Sequence, residues 1–170
     1  ASLLNIDSIT GDVTLKSSAN YEAKNSYSFN VIASDGTLTD LKAITVNVSN
    51  VNETPTITSI ATGSVAENAV NTTVIYKVSA TDADANTTLK YSLSGTDASL
   101  LNINSTTGDV TLKTSANYEA KNSYSFNVIA SDGSLTATKA ITINVKDVLN
   151  EVFNLYGTDE NDTLTSNIID

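Results

Sequence analysis

The chain has 170 residues, nine basic against 19 acidic, a formal charge of −10, and 40% hydrophobic but only 6% aromatic residues. His, Cys, Trp, Met and Arg are all absent. That removes thiol nucleophiles, Ser-His and Cys-His relays, ordinary zinc sites and disulfides, and leaves paired carboxylates and hard cations. The acidic balance argues against nucleic acid and anionic lipid as partners, because both reward clustered basic side chains, and it favours calcium. No apolar run approaches the roughly 18 residues of a membrane span, so no direct membrane insertion is expected, and no signal peptide is evident.

Self-similarity organises everything else. Residues 1–48 match residues 98–145 at 41 of 48 positions, differing at 7, 9, 17, 37, 40, 41 and 46, which sets a period of 97 residues. A unit of that length suits an array of small domains, each with its own core. Near-copies in series add reach and avidity, whereas they add little to catalysis, so no enzyme is expected. The expected organisation is the C-terminal half of a repeat over 1–53, a complete repeat over 54–151 and a separate tail over 152–170.

In chain order, the half repeat shows alternating runs around Gly11 and around Asp35-Gly36, each predicting a hairpin. Pro55 marks the join, where a residue without an N–H suits entry to an edge strand. Val74, Tyr76 and Val78, then Leu89, Tyr91 and Leu93, give two period-2 runs. Leu101, Ile103, Val110 and Leu112 flank Thr107-Gly108-Asp109. Tyr124, Phe126, Val128 and Ala130 lead into Asp132-Gly133, after which Ile141, Ile143 and Val145 resume the alternation. No stretch has a sustained helical period. The prediction is an all-β chain: a seven-strand antiparallel Greek-key sandwich of immunoglobulin-like type, in tandem. Tyr21, Tyr27, Tyr118 and Tyr124 are read as core or sheet-face residues, Asp12 and Asp109 as turn residues, and Lys16, Lys24, Lys113 and Lys121 as solvated charges.

The acids fall at predicted strand ends. Thr81-Asp82-Ala83-Asp84-Ala85-Asn86 offers two carboxylates on alternate positions, which face one side of an extended chain. An EF-hand loop begins with this spacing but would need Gly where Thr87 stands and Glu where Leu93 stands, so that reading fails. Glu67 in Val65-Ala66-Glu67-Asn68, the pair Asp82 and Asp84, Glu119 in Ala116-Asn117-Tyr118-Glu119, Asp132 in Ala130-Ser131-Asp132-Gly133, and Asn52-Glu53 before Pro55 form an ordered set. In this set the sequence resembles a cadherin repeat over residues 1 to about 151.

The resemblance implies calcium at the junctions between repeats. Carried over by position, one junction would use Glu22, Asn50, Asn52 and Glu53 from its first side and Asp82, Asp84 and Asp132 from its second. A second would begin with Glu67, Glu119, Asp147, Asn150 and Glu151. Such oxygen-rich sets suit calcium, which takes six to eight oxygens. The chain departs from the family pattern where Ala19-Asn20-Tyr21-Glu22 replaces Leu-Asp-Arg-Glu, and where the linker Asn50-Val51-Asn52-Glu53-Thr54 carries Asn for Asp. Fewer ligand charges imply weaker binding or fewer ions.

The tail from Leu155 to Thr165 resembles one degenerate copy of the calcium-binding nonapeptide of RTX proteins, through Gly157, Asn161, Asp162 and Leu164. That resemblance implies a bacterial, secreted or cell-surface adhesin, with biofilm or cell-cell adhesion as its setting. The expected partners are calcium, and either a second copy of the chain, by homophilic contact or strand exchange, or surface glycans. Carbohydrate binding is the alternative function, disfavoured by the lack of Trp. The half repeat is expected to expose an apolar face.

Overall fold

The computed structural model describes residues 3–148. Asn150, Glu151 and the tail over 152–170 lie outside the described residues.

The first portion forms two hairpins. β1 (Leu4–Ile6) pairs antiparallel with β2 (Val13–Leu15), and β3 (Ser26–Ser34) with β4 (Thr39–Asn47). An aspartate closes each turn, because a short carboxylate reaches the amides two and three residues on. Asp7 accepts from the N–H groups of Ile9 and Thr10 at 2.8 and 3.1 Å. Asp35 accepts from those of Thr37 and Leu38 at 2.9 and 2.7 Å.

The second portion runs β5 (Thr56–Ile57), β6 (Thr62–Ala66), β7 (Val74–Lys77), β8 (Ala80–Thr81) and β9 (Lys90–Ser94). A 3₁₀ turn at Ala98–Leu100 follows, then β10 (Leu101–Ile103), β11 (Asp109–Leu112), β12 (Ser123–Ser131) and β13 (Thr136–Lys146). One sheet has the order β6-β13-β12-β9, the other β10-β11-β7, and β5 pairs with β8. Taking β5 with β6 and β7 with β8 as interrupted strands gives seven, the all-β sandwich that the period-2 runs predict. The pairing is antiparallel except that β6 lies parallel to β13. Between β5 and β6 the chain changes partner, and that crossing is pinned. The Tyr76 hydroxyl lies 2.5 Å from the Ile60 carbonyl oxygen and 2.9 Å from Ser59 Oγ, and Lys139 Nζ donates to the Ser59 carbonyl at 2.5 Å.

The core sits between the two sheets, centred on Val110, Leu112, Phe126, Val128, Ile141 and Ile143. The Phe126 ring meets Tyr76 edge-on, with centroids 6.2 Å apart. Strict alternation fails at β7. Val110 stands opposite Tyr76 while Thr111 stands opposite Val74, so Ile75 is a bulge. A bulge shifts the side-chain phase by one residue. Ile75 and Tyr76 are both buried, and Val74 is 50% exposed. Lys121 is not simply solvated: it pairs with the buried Asp97 at 2.9 Å and lies over the Tyr124 ring. Tyr124 is a core residue, but Tyr21 and Tyr118 sit in turns outside the strands.

Candidate metal centre

Two loops carry carboxylates because an asparagine takes the left-handed backbone region in each. Asn68 has φ 60° and Asn86 φ 66°, values that Asn tolerates better than other side chains. Asn68 turns the chain directly after Glu67, at the end of β6. Asn86 bends the loop after Asp82 and Asp84. The Glu-Asn pair thus has a local cause: the Asn lets the strand stop where the Glu is needed.

Glu22 and Glu119 are placed by matching turns. The side-chain oxygen of Asn20 accepts from the Ala23 N–H, and that of Asn117 from the Ala120 N–H, each at 2.6 Å. Where the family pattern has Asp, the Asn here holds its own turn.

Near the join, oxygen atoms of Glu22, Glu53 and Asp84 lie within 4.8 Å of one another. The Asp84 carboxylate accepts from the Glu53 N–H at 3.0 Å and from the Asn50 amide at 2.7 Å. Asp82 accepts from the Asp84 N–H at 2.9 Å, so the Asp-x-Asp pair is held by its own backbone. The Asn52 amide donates to Asp132 at 2.7 Å, and the other Asp132 oxygen accepts from Ser134 and Leu135, as in the hairpin turn at Asp35. Asp132 is thereby tied to the linker, although it is not one of the three converging carboxylates.

The electrostatics of this group are unbalanced. Burial, then the charges of Glu22, Asp84 and Asp82, raise the Glu53 pKa above its ordinary value. Among the described residues, the ion pairs Lys77 with Asp109 and Lys121 with Asp97 involve none of these carboxylates. Glu53 Oε2 and Asp82 Oδ2 are buried with no hydrogen-bond partner. A buried, unpartnered carboxylate oxygen is costly, and its natural satisfaction is a cation. The residues therefore fit a hard divalent ion, with carboxylates and amide oxygens as the donor set.

At the other end, Glu67, Glu119 and Asp147 also place oxygen atoms within 4.8 Å of one another. Glu67 is only 3% exposed. Its carboxylate accepts from the Val148 N–H at 2.5 Å and the Tyr118 N–H at 3.3 Å. The Val148 bond outweighs burial and holds the Glu67 pKa below its usual value. Asp147 is pushed the other way, first by burial, then by its hydrogen bond to Glu67 and by the charges of Glu67 and Glu119. Asn150 and Glu151, assigned to this set, lie outside the described residues. One buried acid, Asp97, was not anticipated: it caps the Ser125 N–H at 2.7 Å and pairs with Lys121, a structural role away from both groups.

A cadherin domain model matches residues 61–146. The chain belongs to the cadherin family. Cadherin-87A of Drosophila melanogaster is 31% identical over 156 residues, which is 85% of this chain but 8% of that protein. The crystal structure of mouse Cadherin-23 repeats EC22-24 aligns with a TM-score of 0.68 at 25% identity, covering 86% of this chain and 50% of that one. Human Protocadherin-24 EC1-2 aligns at 0.66 and 22% identity, covering 86% and 77%. The cadherin chain described here thus spans a small fraction of its curated relative. Cadherin domains are extracellular, calcium-dependent adhesion modules rather than catalysts, and the all-β sandwich is theirs.

Proposed function

We propose that this chain is a calcium-binding segment of an extracellular cadherin-like adhesin, in which ions at the ends of the 54–151 repeat rigidify the array. The observation that carries this reading is the convergence of Glu22, Glu53 and Asp84, from three separate segments, beside the unpartnered buried oxygens of Glu53 and Asp82. Glu22, Asn50, Asn52, Glu53, Asp82, Asp84 and Asp132 would hold the ion at the join. Glu67, Glu119 and Asp147, with Asn150 and Glu151, would hold it at the far end.

A bound calcium supplies the positive charge and oxygen coordination that these carboxylates lack. The residues themselves do the mechanical work. Without a counter-charge they repel one another across the join, which favours bending. Once neutralised, Glu22 and Glu53 on one side are held to Asp82 and Asp84 on the other. Extracellular modules bind calcium at about 10⁻⁴ to 10⁻³ M. At millimolar calcium this gives roughly 0.4 to 1.4 kcal/mol per site, so calcium stiffens the rod more than it folds each repeat. The parent is read as a bacterial RTX-type adhesin on the strength of Gly157, Asn161, Asp162 and Leu164, and homophilic contact is the proposed adhesive mode.

The test is calorimetric titration with calcium, with magnesium as control, on the chain and on Asp82→Asn/Asp84→Asn. Saturable calcium uptake that falls in the double variant by the share bound at the join, with the share held by Glu67, Glu119 and Asp147 remaining, is the expected result. Uptake unchanged by the substitutions, or no uptake by the unaltered chain, would overturn the assignment.

A further inference from the structure

We propose that the linker over residues 50–54 is fastened to the second portion without a metal, by hydrogen bonds from its own amide groups, so that the join bends at one point, between Val48 and Asn50. Three donors make the fastening. The Asn50 amide donates to one Asp84 oxygen at 2.7 Å and the Glu53 N–H to the other at 3.0 Å, so the linker takes both oxygens of that carboxylate. The Asn52 amide donates to Asp132 at 2.7 Å. Asp84 follows β8 and Asp132 follows β12, so the linker is held from two different loops.

The acceptors are themselves fixed. Asp82 accepts from the Asp84 N–H, and Asp132 accepts from those of Ser134 and Leu135. Beyond the linker, Pro55 is buried and β5 pairs with β8. An amide that donates to a carboxylate makes a charge-assisted bond and adds no negative charge of its own. An aspartate at position 50 or 52 would offer no donor and would repel its partner.

The first portion closes on itself just before this point. β4 runs to Asn47, opposite Ser26, and the Val48 N–H donates to the Asn25 carbonyl at 2.9 Å. Ser49, exposed, stands between that last rung and Asn50. Among the described residues of the first portion, only Glu22 joins the converging carboxylates, from a turn that Asn20 closes locally. Glu53 precedes the second portion in chain order yet is bound to it through Asp84. On the calcium reading proposed above, an ion therefore ties the two portions through one side chain, Glu22, and finds its other ligands already assembled.

The chain has no Cys, so introduced cysteine pairs can carry spin labels, and the widths of their distance distributions in chelator are the readout. One pair, Val51→Cys with Ser92→Cys, spans the linker and the second portion. The other, Lys42→Cys with Val51→Cys, spans the first portion and the linker; all three positions are exposed. The expected result is a narrow distribution for the first pair and a clearly wider one for the second. Asn50→Asp/Asn52→Asp keeps the side-chain shape but removes both donors, and the narrow distribution of the first pair should be lost; a merely space-filling role for the amides would leave it narrow. Far-UV circular dichroism should be unchanged by the substitutions, which shows that both portions remain folded. Two results would overturn the proposal: a first pair as wide as the second without the aspartates, or a first pair that stays narrow with them. Both are read without metal, so neither depends on calcium uptake. Failure of the calcium reading would show separately, as a second pair that added calcium does not narrow.

Discussion

The two copies allow a single substitution to be made in two environments of nearly identical sequence. Phe126 is 3% exposed and its ring meets Tyr76 edge-on at 6.2 Å, whereas Phe29, the same residue 97 positions earlier, is half-buried. Truncating a fully buried Phe costs about 3–5 kcal/mol through lost transfer energy and a residual cavity, including about 0.5–1.5 kcal/mol for the aromatic pair. Phe29→Ala lacks most of that cavity and should cost about 1 kcal/mol, half the transfer energy of a buried Phe. Urea unfolding in calcium-free buffer, followed by far-UV circular dichroism, reads the difference as a midpoint shift. With a slope of about 1–3 kcal/mol per molar urea, Phe126→Ala should move the midpoint of the 56–148 transition by about 1 M or more. Phe29→Ala should leave that transition in place. Equal shifts from the two substitutions would refute the location of the core.

The remaining predictions concern acid and glycine. A Glu53 carboxyl with a raised pKa means that the folded chain binds more proton than the unfolded one. Stability in chelator should then rise as pH falls from neutral toward 4.5, Asp147 acting in the same sense. Glu67, whose pKa is lowered, opposes this as pH approaches its ordinary 4.5, and Asp7, Asp35, Asp97, Asp109 and Asp132 do so nearer 3.8, so the rise is confined to the upper part of the range. Thermal midpoints between pH 7 and 4.5 test this, and Glu53→Gln should flatten the rise; a profile already falling with acid in that range would contradict it. Gly108 has φ +75° and an added Cβ would meet the Val78 carbonyl oxygen at 2.7 Å, whereas Gly11, at φ +80°, has open space. Gly11→Ala should cost about 1–2 kcal/mol of left-handed strain. Gly108→Ala should cost clearly more, and equal losses in urea would show the close approach to be unimportant.

Much of the fold is legible in the sequence because its strands keep one face dry. Tyr124 through Ala130 and Ile141 through Val145 alternate as written, and Asp-Gly turns mark where the hairpins reverse. What escaped has physical causes. The Ile75 bulge shifts phase without any change in residue type, and Val74 looks as apolar as its buried neighbours. The parallel pairing of β6 with β13 depends on residues about 80 apart in sequence. For the candidate site, the acids themselves could be picked out along the chain. The turn-forming role of Asn20 and Asn117 and the left-handed conformations of Asn68 and Asn86 needed the backbone. The Asp97 and Lys121 pair spans a sandwich edge that no local spacing signals.

The parallel contact between β6 and β13 has a further consequence when the chain bears load. β6 stands near the start of the second portion and β13 near the end of its described residues, and five residue pairs from Thr142 opposite Thr62 to Lys146 opposite Ala66 join them. Tension applied at the two ends pulls these strands in opposite directions along their own length. All the rungs are then strained together in shear, instead of being peeled apart one after another as in a hairpin pulled from its open end. A tether built from such units would resist a pull by the geometry of one strand pair, before any other part of the sandwich gives way.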